Sequence, residues 1–372
     1  MQQIDDILQF SKDNKFFLKE YGRLRFIAGK NQKYKFIALI LLSIESPVEL
    51  CYFLETSMPA LEKIINAPVY QHYTVKKKRG GERRICAPEK RLKKIQQRLN
   101  YFLQAYYLWI KPTEVHGFVI NPRYLGAHCN IVANAGVHTG KKHILNIDLK
   151  DFFSSISAKR IKTLFSSSYF NYNEQIATAL TLLTTYQATL PTGAPTSPIL
   201  SNFVCLGLDA NLRTFCQENA LLYTRYADDL TFSSDVVITL DTIQNIIQLI
   251  HKNGFEINEK KLRIQSSNRK QTVTGLTVNE KVNVDRKLLK KIRAMLHDWT
   301  TNGIVAASQR HFKLTDDVTC KYTNHFINRL KGYINFVGQV RGKSDSVYLR
   351  LKQRFDTYLS EKWDSERVER YK

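Results

Sequence analysis

The spacing of hydrophobic positions changes several times along the chain, and each change marks an element. Residues 1 to 68 carry apolar positions at helical spacing, interrupted near Gly29-Lys30-Asn31 and Ser46-Pro47, which predicts short amphipathic helices. From Tyr73 the period shortens to two. Tyr73-Thr74-Val75-Lys76-Lys77 and Arg83-Arg84-Ile85-Cys86-Ala87-Pro88 flank Arg79-Gly80-Gly81-Glu82, where Gly-Gly supplies the positive φ of a tight hairpin. A basic helix is predicted from Lys90. His143 to Asp148 is an apolar run of β-formers that ends in a carboxylate. Residues 157–189 read as two helices joined near Asn171-Tyr172-Asn173, and Leu190 to Pro198 as a Pro/Gly loop. A helix is expected from Ile199 to about Gln217, with Ser201 and Asn202 near its start, where free N–H groups favour phosphate. Leu221 to Ser234 reads as two short strands around the turn Tyr226-Ala227-Asp228-Asp229. Thr239 to Asn253 predicts a helix and 271–284 a hairpin. From Asp285, a suitable N-cap, helical spacing covers 286–296, 322–340 and 345–363.

Charge sharpens this picture. Lysine and arginine total 56 against 33 acidic residues, a formal net charge of +23 over 372 residues. Such an excess points to an anionic polymer, with nucleic acid the leading case. It is concentrated in two places, residues 71–100 and residues 282–372, each of net charge +9. In the second, Tyr322, Tyr333, Tyr348 and Trp363 sit among basic helices, and they read either as stacking partners for bases or as core. No apolar run reaches the ~18 residues of a membrane span, so no membrane partner is expected. The N-terminus lacks the order of a signal peptide. The six cysteines have no paired spacing and read as free thiols in a reducing cytoplasm. His128-Cys129, His138 and His143 lack the second cysteine that a zinc site would need.

The chemistry centres on carboxylates. Asp228 and Asp229 are adjacent at a turn, repel each other, and cannot both be buried ionised without a counter-charge. A divalent cation supplies one, and oxygen-only ligands suit Mg²⁺ or Mn²⁺. Asp-Asp is also an ordinary turn dipeptide. A second carboxylate at a strand end, Asp148, tips the reading towards a metal centre. Three carboxylates at neighbouring strand ends suit two ions roughly 3.5–4 Å apart, the arrangement of in-line phosphoryl transfer.

Five elements in order resemble reverse transcriptases, and in detail the retron subgroup. These are Asn134-Ala135-Gly136-Val137-His138, the Asp148…Phe152-Phe153 strand, Leu190 to Pro198 around Gly193, Tyr226 to Asp229, and Val273-Thr274-Gly275. The resemblance covers roughly residues 70 to 340. Residues around Pro122 to Cys129 are an insertion relative to the retron pattern, and Thr192 stands where the family usually has glutamine. His138 reads either as part of the retron element or as a structural histidine.

The resemblance implies an α+β right-hand polymerase. Residues 1–68 would be an N-terminal helical extension, 69–280 fingers and palm with an antiparallel sheet, and 281–372 a helical, RNA-binding thumb. It implies RNA-directed DNA synthesis at Asp148, Asp228 and Asp229, with two Mg²⁺ ions (Mn²⁺ as a substitute) and the Leu149 backbone carbonyl as a further ligand. Arg83 and Arg84 would touch phosphates of the incoming deoxynucleotide, and Phe153 would exclude a 2′-hydroxyl. Gly193 would let the loop approach the nucleotide, Lys260 or its neighbour Lys261 would protonate the leaving pyrophosphate, and Val273-Thr274-Gly275 would grip the primer end. The implied partners are a cognate structured non-coding RNA, its branched RNA-linked DNA product, deoxynucleotides and a separate effector protein in anti-phage defence. Two rival readings are another prokaryotic reverse transcriptase, of the group II intron or diversity-generating kind, and a non-catalytic RNA-binding scaffold.

Overall fold

A computed structural model of the chain describes residues 30–76, 80–121, 129–312 and 320–370. The break expected at Gly29 and most of the run from Pro122 to Cys129 lie outside these residues. The described chain divides into two compact units. One comprises the residues up to Asn134 together with Lys142–Ile264, and the other Ala135–Lys141 together with the chain from Gln265.

The first unit opens with three helices, α1 (Lys30–Leu42), α2 (Pro47–Leu54) and α3 (Met58–Asn66). The break between α1 and α2 falls where Ser46-Pro47 predicts it. The Ser46 hydroxyl accepts the Glu49 N–H, and Pro47 opens the helix, where its missing N–H costs nothing. These helices are not an appendage. Leu41, Leu42, Leu50 and Leu61 belong to the same apolar core as Leu99, Leu103 and Leu145. The antiparallel hairpin β1 (Tyr70–Lys76) and β2 (Glu82–Pro88) follows, with Lys76 opposite Glu82 and both turn glycines at positive φ. Helix α4 (Lys90–Ile110) then runs through the core, burying Leu92, Leu99, Leu103 and Tyr107.

The four-stranded sheet has the order β4 (Leu222–Tyr226), β5 (Asp229–Ser234), β3 (His143–Asp148), β6 (Arg263–Ser266). Helices α6 (Ala158–Ser166) and α7 (Glu174–Thr184) are capped by Ser157 and Asn173 side chains, at the joints the sequence predicts. Helix α5 (Ile131–Gly136) precedes β3 in the chain. The single helix expected from Ile199 is two, α8 (Ser197–Val204) and α9 (Leu206–Glu218), broken at Cys205 with ψ −2°. Helix α8 starts before the expected point because Pro198 sits in its first turn, where proline is tolerated. Ser201 and Asn202 therefore lie inside the helix and are fully buried, which removes them from any phosphate site at its start. Helix α10 (Leu240–Lys252) is capped by Thr239 as the sequence suggests.

The second unit contains the small hairpin β7 (Thr272–Val273) and β8 (Leu276–Thr277). Thr274 and Gly275 both have positive φ in its two-residue turn. Three long helices follow, α11 (Arg286–Phe312), α12 (Cys320–Arg341) and α13 (Ser346–Arg370). Asp285 accepts the Lys287 N–H at the start of α11, and Gly303, at φ 77°, kinks that helix. Trp299 packs edge-on against Phe326 and Phe355 in the core. Gly338 leaves room for the Tyr348 ring, whose nearest atom would lie 2.5 Å from a Cβ there. Tyr348 is thus a core residue, while Tyr333 sits beside Lys291. The side chains of Tyr322 and Trp363 lie outside the described residues. The hairpin expected at the end of the palm falls in this second unit, where the Gly140 N–H donates to the Val278 carbonyl.

Candidate active site

The antiparallel register of β3 and β5 sets Asp148 directly opposite Asp229. Across the neighbouring pair, Tyr226 faces Asp229, so Ala227 and Asp228 form the tight turn between β4 and β5. Ala227 adopts φ 61°, the left-handed conformation that turns the chain back within two residues. The Leu149 N–H donates to the Asp228 carbonyl at 3.0 Å, which locks the turn to the end of β3. Three carboxylates read as separate motifs are thereby gathered at one edge of the sheet.

Burial and mutual repulsion both act on these carboxyls. Desolvation, then the Asp148 carboxylate, raises Asp228 above the ordinary carboxylate range, while Lys261 and Arg83 pull it down. Desolvation by the surrounding protein, then Asp228 and Asp148, pushes Asp229 up to about 6, although part of its surface still meets solvent. Asp148 is held differently. Both of its carboxylate oxygens accept from the Lys261 Nζ, at 2.9 and 2.8 Å. Lys261 is brought there by the 3₁₀ turn Glu259–Lys261, anchored where the Asn258 N–H donates to the Asp148 carbonyl at 2.7 Å. It is Lys261, and not Lys260, that pairs with Asp148; Lys260 is exposed.

Among the described residues no three His, Cys, Asp or Glu side chains converge as a ready-made metal cage. The donor set still fits a hard divalent ion. All its side-chain ligands are oxygens, and desolvation first, then the neighbouring carboxylates, raises two of the three carboxyls.

A buried ion pair holds the turn from behind. Arg225 and Asp209 are both completely buried, with Nε to Oδ1 at 2.8 Å and Nη2 to Oδ2 at 2.7 Å. The Arg225 Nη1 also donates to the Asn202 Oδ1 at 2.9 Å and to the Ala227 carbonyl at 3.2 Å. Tyr223 donates its hydroxyl to Asp209, and the Asn202 amide donates to the Gly117 carbonyl. Gly117 lies so close beneath the turn that a Cβ there would meet the Ala227 nitrogen at 2.4 Å. Gly117, Asp209 and Arg225 are not singled out as functional by the sequence motifs, and Asn202, expected near phosphate, instead supports the turn. One signal was present: an arginine on the inward side of an otherwise apolar strand needs a buried partner.

The other expected residues fall into distinct settings. Strand β3 stops at Asp148, and residues 149–156 form turns, with Asp151 at φ 48°. Phe152 and Phe153 therefore do not alternate across a strand. Phe152 is buried against Phe255, while Phe153 is half-buried between Phe118 and Phe152. Arg83 and Arg84 are exposed on β2, where consecutive side chains face opposite ways. Arg83 is the one whose charge acts on Asp228. Gly193 makes a close approach, but to β2. A Cβ there would meet the Cys86 carbonyl oxygen at 2.7 Å. Asn134 and His138 are buried. Val273 is in the core of the second unit, with Thr274 and Gly275 at its hairpin turn.

Two outcomes follow for the carboxylates and their support. Asp209→Asn leaves Arg225 buried without its counter-charge, and we expect unfolding stability to fall by ~3–5 kcal/mol in a denaturant titration; a loss below ~1 kcal/mol would contradict the role given to the pair. Because the folded-state value of Asp229 is raised, its contribution to stability is present below the ordinary carboxylate value and is lost as pH rises through about 6. We expect its carboxyl carbon to titrate near 6 by NMR without divalent cations and lower when they are added. A midpoint at the ordinary aspartate value, unmoved by divalent ions, would show that the cluster is not short of positive charge.

The family model "Reverse transcriptase (RNA-dependent DNA polymerase)" matches residues 75–278. The retron Mx65 reverse transcriptase of Myxococcus xanthus is 34% identical over 261 residues, covering 65% of this chain and 58% of that protein. The retron Ec86 reverse transcriptase of Escherichia coli is 32% identical over 295 residues, covering 78% of this chain and 80% of that protein. A solved telomerase from Candida albicans, in complex with a fragment of telomeric RNA, shows a looser likeness, with 12% identity and a TM-score of 0.45 over 82% of this chain and 65% of that one. The carboxylate edge lies inside the matched segment, and the identity to the Ec86 protein extends over most of the chain, so the chain belongs to the retron reverse transcriptases.

Proposed function

We propose that the chain is an RNA-directed DNA polymerase whose reaction centre is Asp148, Asp228 and Asp229. The observation that carries this reading is the register that sets Asp148 opposite Asp229 with Asp228 in the adjoining turn. We propose further that the template is a cognate structured non-coding RNA, that synthesis starts from a 2′-hydroxyl of that RNA, and that the product is a branched RNA-linked DNA. Retron reverse transcriptases among its relatives support this finer reading. Action with a separate effector protein in anti-phage defence is the setting this reading implies.

The Asp148, Asp228 and Asp229 carboxylates, with the Leu149 carbonyl, would hold Mg²⁺, with Mn²⁺ as a substitute. When bound, such ions acidify a hydroxyl nucleophile and neutralise charge developing on a phosphoryl group. The chain's own residues do the rest. The guanidinium of Arg83 is placed to hold nucleotide phosphates near Asp228. The half-buried ring of Phe153 is braced by Phe118 and Phe152, so it stands as a rigid wall for a sugar. Lys261, paired with Asp148, would be the donor to a leaving pyrophosphate.

Two variants test the reading. In Asp228→Asn or Asp229→Asn we expect primer extension on an RNA template to be abolished while RNA binding is largely retained, since the basic surface is untouched. Extension at more than a tenth of the wild-type rate in both variants would remove these residues from the centre. In Phe153→Ala we expect ribonucleotides to be admitted, read as a drop in the ratio of deoxy- to ribonucleotide incorporation efficiency. An unchanged ratio with synthesis intact would make Phe153 a core residue and place the gate elsewhere.

A further inference from the structure

We propose that Thr192 is a positioning residue, which fixes the arginine-bearing strand β2 against the palm loop and so sets nucleotide affinity without touching the nucleotide. This rests on the polymerase reading above and on the part given there to Arg83.

The Thr192 hydroxyl faces β2. It donates to the Arg84 carbonyl at 3.0 Å and accepts the Cys86 N–H at 3.0 Å. The next residue continues the pattern, with the Gly193 N–H donating to the Cys86 carbonyl at 2.9 Å. These backbone groups of β2 lie on the edge turned away from β1, where an unpaired strand otherwise exposes its donors and acceptors. The loop thus acts as a short third partner for the hairpin. Gly193 is required for it, since a Cβ there would also meet the Ala87 Cα at 2.9 Å.

The loop itself is firmly held. Leu190 donates its N–H to the Ile156 carbonyl at 3.1 Å, and Ser197 donates its hydroxyl to the Pro191 carbonyl at 2.7 Å. The root of the hairpin is held as well, with the Tyr70 and Tyr186 rings stacked at 4.2 Å. Beyond the Thr192 contact the character changes. Glu82 and Arg83 on β2, and their partners Lys76 and Val75 on β1, are all exposed. Thr192 is therefore the outermost side-chain tether, among the described residues, before the projecting tip, and Arg83 is the first residue past it. With its hydrogen and one lone pair engaged by β2, the Thr192 hydroxyl has no proton left to offer a nucleotide phosphate. Its influence has to pass through the strand.

The test uses the full chain, an RNA template with an annealed DNA primer, and single-nucleotide incorporation. Thr192→Val keeps the shape and removes the hydroxyl. Thr192→Ser restores it. We expect Thr192→Val to raise the KM for the deoxynucleotide about fivefold, the worth of about one net hydrogen bond, with kcat within about twofold. Thr192→Ser should stay within about twofold of wild type. In an Arg83→Ala background, Thr192→Val should add less than about twofold, because the effect travels through Arg83. Independently of activity, the Cys86 amide should exchange faster in Thr192→Val and not in Thr192→Ser. Unchanged KM in Thr192→Val overturns the proposal, as does unchanged Cys86 exchange. A full fivefold penalty that persists in Arg83→Ala also overturns it, since it would mean that Thr192 meets the nucleotide directly. If the wild-type chain incorporates no nucleotide while the Cys86 exchange behaves as described, the polymerase reading fails and the tether stands.

Discussion

Like charges held side by side repel, and the first unit is built to hold three of them. The sheet register fixes Asp148 and Asp229 opposite each other, so neither can move away without breaking backbone pairing. Asp228 is fixed through its own carbonyl by the Leu149 N–H. Burial first, and this crowding second, raises the carboxyls of Asp228 and Asp229. A site that carries unrelieved negative charge is one that a divalent cation stabilises on binding.

The Arg225–Asp209 pair is what makes the crowding sustainable. A completely buried guanidinium is costly unless its donors are satisfied, and here they reach Asp209, Asn202 and the Ala227 carbonyl. One of those bonds ends on the turn itself. Gly117 closes the same space from below, where only a hydrogen fits. The turn is gripped through its backbone from the rear, by the bond from Arg225 to the Ala227 carbonyl. On the open side both Asp148 carboxylate oxygens accept from the Lys261 ammonium.

Much of this was legible along the chain, for identifiable reasons. Local signals carried the hairpin at Gly80-Gly81, the carboxylate at the end of β3, the turn at Asp228-Asp229, the helix joint near Asn173 and the cap at Asp285. Each depends on a few neighbouring residues. What was missed depends on contacts between distant segments. Nothing near Thr192 tells that its hydroxyl bridges Arg84 and Cys86. Nothing near Arg225 tells that its partner is Asp209 on another element. The choice between Lys260 and Lys261 turned on one 3₁₀ turn, and that between Phe152 and Phe153 on a strand that ends at Asp148. Pro198 misled because proline reads as loop, yet a helix tolerates it in the first turn.

Direct counting of bound cations tests the central claim, that the edge at Asp148, Asp228 and Asp229 is a divalent metal centre. Mn²⁺ can be titrated into the full chain with template, primer and a non-reactive deoxynucleotide, and free ion followed by electron paramagnetic resonance. The account predicts that about two ions bind per chain in the wild type, as in two-metal phosphoryl transfer, and that these are lost in a variant carrying both Asp148→Asn and Asp228→Asn. Equal Mn²⁺ uptake by the wild type and that variant would contradict it.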